Sequence, residues 1–253
     1  MIEIGCCGWQ KAHATCFATY SLIEIQETFY KPPMVRTAAR WRYEEAPEDF
    51  TFTLKAWQLI THDATSPTYR RAGIAIASGT RNRYGYFRPT DEVFGAWLRT
   101  KEIALTLRAP LVVFQCPASF EPTKDNKANM RAFFGAIDRG GLQFAWEPRG
   151  AWTDVEIADL CAELGLIHCV DPFIRRPVTQ GMAYFRLHGI GGYAYRYTDA
   201  ELEQVRAWVR PFDPAYVLFN NTESWEDGLR FRALLDGEGN AGSRARFNLG
   251  EIR

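Results

Sequence analysis

The chain has 253 residues, 47% hydrophobic and 24% charged, the balance of an ordinary globular protein rather than a disordered or fibrous one. Thirty Lys and Arg offset 30 Asp and Glu, so no global charge pulls it toward nucleic acid or a membrane surface, and any electrostatic footprint is local. No apolar run reaches the roughly 20 residues of a membrane span, and Met1-Ile2-Glu3-Ile4-Gly5 enters a strand without the basic and apolar regions of a signal peptide, which predicts a cytoplasmic protein.

Short apolar runs alternate with helical segments along the chain, with no linker or repeat to divide it. This predicts one domain, residues 1–253, built on a parallel sheet with crossover helices. Eight runs rich in β-formers read as strands: Ile2–Gly5, Leu22–Gln26, Phe50–Lys55, Leu111–Gln115, Leu142–Glu147, Leu166–Asp171, Ala183–His188 and Tyr216–Asn220. Eight such strands in a chain of this length fit an α/β fold of the closed, parallel TIM-barrel type.

Two connections depart from the simple repeat. The stretch from Gly8 to the second strand is brief, so the first helix is short or missing. Between residues 56 and 110, joining the third and fourth strands, the chain makes a long excursion with a helix expected only at Asp91–Arg108. A loop of that length points to a lid or another functional segment.

The later helices announce themselves. Met130, Phe133, Phe134 and Ile137 make an apolar face closed by Gly140-Gly141. Thr153 with Glu156, and Thr198 with Glu201, read as capping boxes that open two further helices, the first of which stops at Gly165. Trp225, Leu229, Leu234 and Leu235 mark a last helix, and residues 236–253 read as a polar tail.

Alternation within the strands separates two faces. Ile23 and Ile25, Phe52 and Leu54, Phe144 and Trp146, and Phe185 and Leu187 form the apolar set that meets the helices. The opposite set is polar and ends each strand at its C-terminal side: Glu24, Lys55, Gln115, Glu147, Asp171, Arg186, His188 and Asn220. In barrels that end carries the active site, and charge in a lumen is costly enough to need a reason. That reason is either a ligand site or a charge-balanced structural network.

Seven segments, in order along nearly the whole chain, resemble the motifs of the YecE-like family, also called domain of unknown function 72. They are Ile4-Gly5-Cys6-Cys7-Gly8-Trp9, the run Ile23 to Pro33, and Phe52-Thr53-Leu54-Lys55-Ala56 with Ile60-Thr61-His62. Further on come Phe114 to Phe120, Trp146 to Trp152, Phe185 to Gly189, and Phe219-Asn220-Asn221-Thr222. The resemblance implies a barrel of the endonuclease IV and xylose isomerase type, whose members use metals and act on phosphorylated or sugar-bearing substrates. This sequence departs from the family in having Cys6 and Cys7 where a small hydroxyl residue is usual, and in its brief first helix.

Several chemistries fit these residues. Glu147, Asp171 and His188 offer one nitrogen and two oxygen ligands for a single divalent metal, although no His-x-x-x-His or Glu-x-x-His pairing supports one. Without metal, the same three residues are candidates for general acid–base catalysis. Lys55, Arg149 and Arg186 converge as an anion-binding set for phosphate or carboxylate, or else simply pair with the acids. Glu24, Gln115, Asn220 and Trp9 complete the expected substrate-binding group.

The excursion carries a local charge asymmetry. From residue 64 to 90 there are five Arg and no acid, and Arg81, Arg83 and Arg88 are interleaved with Tyr84, Tyr86 and Phe87. This suits a nucleic-acid clamp, or a lid whose aromatics pack on the barrel. Gly189-Ile190-Gly191-Gly192 reads as a flexible loop over the mouth rather than a dinucleotide fingerprint, because the next helix begins only near Thr198. The six cysteines, with no Cys-x-x-Cys spacing, read as reduced core thiols.

The combined expectation is a hydrolase or lyase acting on a phosphate- or sugar-containing, possibly nucleic-acid-derived, substrate at the barrel mouth. The alternatives are a non-catalytic nucleic-acid or metabolite binder, and a barrel whose polar core is structural.

Overall fold

Each expected strand forms where the β-rich runs lie. The computed structural model describes residues 1–247, with side chains through residue 237. The strands are β1 (Ile2–Cys7), β2 (Leu22–Ile25), β3 (Thr51–Lys55), β4 (Leu111–Gln115), β5 (Gln143–Glu147), β6 (Ile167–Val170), β7 (Ala183–Leu187) and β8 (Ala215–Phe219). They pair in sequence order, all parallel, and β1 closes the ring on β8.

The pleat sorts side chains as the alternation requires. Ile23, Ile25, Phe52, Leu54, Phe144 and Trp146 belong to one outer core beneath the helices, and Phe185, Leu187, Val217 and Phe219 to another. Leu22, Leu111, Val113, Ala145, Tyr184, Tyr216 and Leu218 pack together inside the lumen. The Tyr184 hydroxyl reaches across from β7 to Thr53 Oγ1 at 2.7 Å and Glu24 Oε2 at 2.9 Å. Below that bridge Leu22, Leu111 and Leu218 pack in the lumen, and nearer its lower end Glu3 hydrogen-bonds Thr51 beside Tyr216.

The first helix is short as expected, α1 (His13–Thr19). After β2 come α2 (Glu27–Tyr30) and α3 (Val35–Arg40), which runs into a π-helical turn at Trp41–Glu45. The excursion holds more than the one helix expected. α4 (Gln58–Thr61), α5 (Pro67–Arg71) and a 3-10 turn at Ser78–Arg83 precede α6 (Asp91–Thr106). These pieces are a turn or so long, too brief to leave a 3.6-residue periodicity in the sequence.

α7 (Lys124–Ala136), α8 (Asp154–Leu164), α9 (Asp199–Val209) and α10 (Ser224–Phe247) complete the ring. Both capping boxes form, and Gly165 ends α8 in the left-handed region at φ 58°. The polar stretch expected as a tail from Asp236 continues the α10 backbone to Phe247, and residues 248–253 lie outside the described residues. Among the described residues no helix is long and apolar enough to cross a membrane.

The aromatic residues of the excursion pack onto the barrel wall. Phe87 is fully buried, with ring centroids of Phe114, Phe120, Phe133 and Phe134 between 5.2 and 6.0 Å away. Gly85 and Phe87 donate backbone N–H bonds to Leu59 and Ile60, at 2.8 and 2.9 Å. Gly85 has φ 73°, and a Cβ there would stand 2.0 Å from the His62 carbonyl oxygen, so only glycine fits. Arg83 pairs with Glu92 at 2.8 Å and Arg88 with Asp63 at 3.2 Å. Arg81 is exposed.

This packing makes a stability prediction. Phe87→Ala should destabilise the fold by about 3–5 kcal/mol through lost burial and a residual cavity, whereas Arg81→Ala should stay within about 0.5 kcal/mol. Urea denaturation of both variants measures the difference, and equal, small effects would mean that the segment is not part of the core.

Candidate active site at the barrel mouth

Strands β2, β3, β4, β5 and β7 each deliver one polar side chain into the upper lumen: Glu24, Lys55, Gln115, Glu147 and Arg186. Arg186, 1% exposed, is the hub. Its Nη2 donates to Glu24 Oε1 at 3.0 Å, and its Nη1 donates to Glu147 Oε2 and, at 3.4 Å, to Gln115 Oε1. Glu24, fully buried, also accepts from the Gln26 amide and the Tyr184 hydroxyl. Burial opposes the charge on Arg186, but Glu147 and Glu24 outweigh it and hold the guanidinium protonated well above its ordinary range. Burial likewise works against the Glu147 carboxylate, yet Arg186, Arg149 and His188 prevail and keep it well below the usual carboxylate range. Glu147 is therefore a fixed anion rather than a proton donor.

Lys55 is held differently. Its Nζ donates to Gln115 Oε1 at 2.8 Å and lies 4.0 Å from the centroid of the Phe29 ring. Burial, then Arg186, lowers its pKa to about 7 against the raising pull of Glu24 and Glu147. His62, edge-on to Phe29 at 4.8 Å, is driven down to about 3 by burial and by the charges of Lys55 and Arg149.

On the opposite rim, Arg149 follows β5 and His188 follows β7. Arg149 Nε donates to Glu147 Oε1 at 2.6 Å, and its Nη2 lies 2.9 Å from His188 Nε2. A guanidinium can only donate, so Nε2 accepts and the imidazole proton sits on Nδ1. Nδ1 in turn faces Asp171 Oδ2 at 3.4 Å. Asp171 is fixed by backbone N–H groups of His188 (2.8 Å) and Phe173 (3.0 Å).

Glu147, Arg149, Asp171, Arg175, His188 and Tyr193 line a cleft of about 760 Å³ between the loops after β5, β6 and β7. Gly189, at φ 91°, lets the β7 loop fold over it: a Cβ there would meet the Gly192 carbonyl oxygen at 2.3 Å.

The sequence and its solved relatives now place this barrel. The family described as "Protein of unknown function DUF72" matches residues 3–246. The chain belongs to the DUF72 family. Among solved structures it is similar to a DUF72 family protein from Enterococcus faecalis V583, with a TM-score of 0.72, 18% identity, and coverage of 93% of this chain and 96% of that one. It is also similar to a DUF72 family protein from Thermotoga maritima MSB8, with a TM-score of 0.67, 18% identity, and coverage of 93% and 99%. A D-tagatose 3-epimerase-like protein shares the barrel at a TM-score of 0.56 and 10% identity, over 96% of this chain and 99% of that one. No curated protein matches the chain. At these identities the solved structures establish the fold alone.

In this DUF72 barrel, eight of the expected site residues converge: Glu24, Lys55, Gln115, Glu147, Arg149, Asp171, Arg186 and His188. Asn220 and Trp9 make no hydrogen bond with them. Asn220 offers its backbone N–H to Leu187 O at 2.8 Å, and Trp9 stacks on His13 at 3.8 Å and meets Phe17 and Trp41 edge-on. Arg186 does not present an open fork, since both terminal nitrogens are spent on carboxylates and its Nε is buried without a partner. Tyr184 was the residue to add, and its place two before Arg186 on the same strand face was the available signal. Tyr193 belongs to the glycine loop that the sequence places over the mouth, whereas Arg175, from the loop after β6, left no signal.

The donor set does not fit a divalent metal. Both Glu147 oxygens already face guanidinium nitrogens, and among the described residues no group of three or more His, Cys, Asp or Glu is arranged to hold an ion. All six cysteines are buried and free, and burial drives Cys6 up to about 12 and Cys7 and Cys169 well above the ordinary thiol range. Cys6, Cys7 and Cys169 are therefore not poised as thiolates.

Two consequences can be measured. Arg186→Met leaves two buried carboxylates without their counter-charge and should cost about 3–5 kcal/mol in urea or thermal unfolding; a near-neutral result would refute the hub. Glu147 has a folded pKa below its ordinary 4.5, so its contribution is fully present above that value and drains away as pH falls below it. Plotting stability from pH 6 to pH 2 should show a shallower loss for Glu147→Gln than for the parent.

Proposed function

We propose that this DUF72 barrel is an enzyme, a hydrolase or lyase, that binds a phosphate- or sugar-containing anionic substrate in the cleft beside His188. The observation that carries this reading is the position of Arg149, which lies between Glu147 and the Nε2 lone pair of His188. A substrate anion that draws the Arg149 fork toward itself frees Nε2, while Asp171 keeps the proton on Nδ1. An imidazole oriented in this way by a carboxylate is a general base. Arg149 is the anion-holding group, and its planar fork suits phosphate or carboxylate. The volume of the cleft is that of a small-molecule site. Barrels described as sugar epimerases share the fold, which lends analogy and no more.

Non-catalytic binding is the competing reading, and nucleic acid has weaker support, because Arg83 and Arg88 are engaged in ion pairs. The test measures melting with phosphate, sulfate and sugar phosphates, together with turnover of chromogenic phosphate esters and glycosides. Anions should raise the parent's Tm, and Arg149→Met should lose that protection while remaining folded. His188→Asn should retain protection but lose turnover by about 10²–10⁴-fold. Protection with no turnover in any assay would favour the binder, and absence of both would end the proposal.

A further inference from the structure

β3 lies diametrically across the barrel from β7, and there the mouth carries Lys55. Lys55 shares this mouth with other cations. Arg186 and Arg149 are tied to carboxylates, with Glu24 at 3.0 Å and Glu147 at 2.6 Å. Lys55 has no carboxylate within ion-pair distance among the described residues. Its Nζ meets a neutral amide oxygen, Gln115 Oε1, which also accepts from Arg186 Nη1, and it faces the Phe29 ring. An ammonium brings three donors, and this setting gives one of them an oxygen acceptor. A neutral amine fits the same place without a counter-charge, and its lone pair is the nucleophile of imine chemistry.

We infer that Lys55 is a nucleophilic amine that condenses with the carbonyl carbon of an anionic aldehyde or ketone held in the barrel mouth. This rests on the anion site proposed at Arg149 and names its substrate class. The charged groups around Lys55 agree. Burial, Arg186 and Arg149 favour the neutral amine, whereas Glu24 and Glu147 oppose it, and the balance sits at about 7. His62, neutral beside it, adds no charge.

The chemistry balances without an oxidant or reductant. The amine pair forms the C–N bond as the carbonyl π pair moves to oxygen, and one proton passes from nitrogen to that oxygen. The hydroxyl of the carbinolamine then takes a second proton and departs as water, while the nitrogen pair closes the C=N bond. One amine, one carbonyl and one proton from solvent become one protonated imine and one water. A protonated imine draws electrons from the adjacent carbon, so a C–H or C–C bond there is weakened. Glu24 and Glu147 lie where they offset the iminium charge.

The test treats the full chain at pH 7 with glycolaldehyde phosphate and sodium cyanoborohydride, then maps labelled lysines by peptide mass spectrometry. A lysine in open water is an ammonium ion at this pH and has no free pair. Lys55 should be labelled at least tenfold faster than any other lysine, with a rate that rises through pH 7. Lys55→Met, checked for an unchanged melting profile, should lose the label. Inorganic phosphate should slow labelling of the parent, a readout that needs no variant. Labelling of Lys55 no faster than of the other lysines overturns the nucleophile, even if phosphate still raises the parent's Tm. Equal labelling by uncharged glycolaldehyde, with no effect of phosphate, instead overturns the anion site and leaves the amine reactive.

Discussion

A guanidinium taken out of water costs several kcal/mol unless it is paired, and the mouth of this barrel is arranged around one such group. Arg186 projects from β7 into an upper lumen shared by β2 and β5, and each of those strands supplies a carboxylate to meet it. The three strands are not neighbours, so the ion network ties the ring together across its interior as well as along its hydrogen-bonded edges. Directly below it, Leu22, Leu111 and Leu218 pack in the lumen, and such surroundings strengthen the charge interactions above. The altered proton affinities of Lys55 and Glu147 follow from burial and from the charges packed beside them, Arg186 foremost.

The outer layer keeps that geometry rigid. Phe114, Phe134, Phe144 and Trp97 meet at centroid distances of 5.1 to 5.9 Å, and the long β3–β4 connection adds Phe87 to the same cluster. A loop of this length would otherwise be an entropic burden. Here its aromatics become wall packing, and two of its arginines are neutralised by acids of the same connection. Disorder of the segment would expose the rings that back the fourth and fifth strands, so the excursion and the site depend on one another through the wall.

Much of this was legible in the sequence because its signals are local. A period of two places Glu24, Lys55, Glu147 and Arg186 on one face of their strands, and that face had to be the lumen. The pairs Thr153–Glu156 and Thr198–Glu201 announced the starts of α8 and α9 for the same reason. What stayed hidden depends on pairing over long separations. Arg186 and Glu24 are 162 residues apart, and no spacing rule says that both forks of this arginine are closed while Lys55 is left with an amide. The short helices of the excursion were missed because one turn carries no periodicity. Trp9 and Asn220 stand near strand ends like the true network members, and only their side-chain surroundings separate them. The seven family motifs fixed the order of the barrel's parts without saying what those parts do.

The Tyr184 bridge to Thr53 and Glu24 has a kinetic consequence. That hydrogen-bonded crosspiece sits beneath the charged layer, and the packed side chains of the lower barrel close the lumen under it. Whatever reaches the buried lysine must come in and go out on the mouth side of that crosspiece. Departure of one molecule and arrival of the next are then consecutive events.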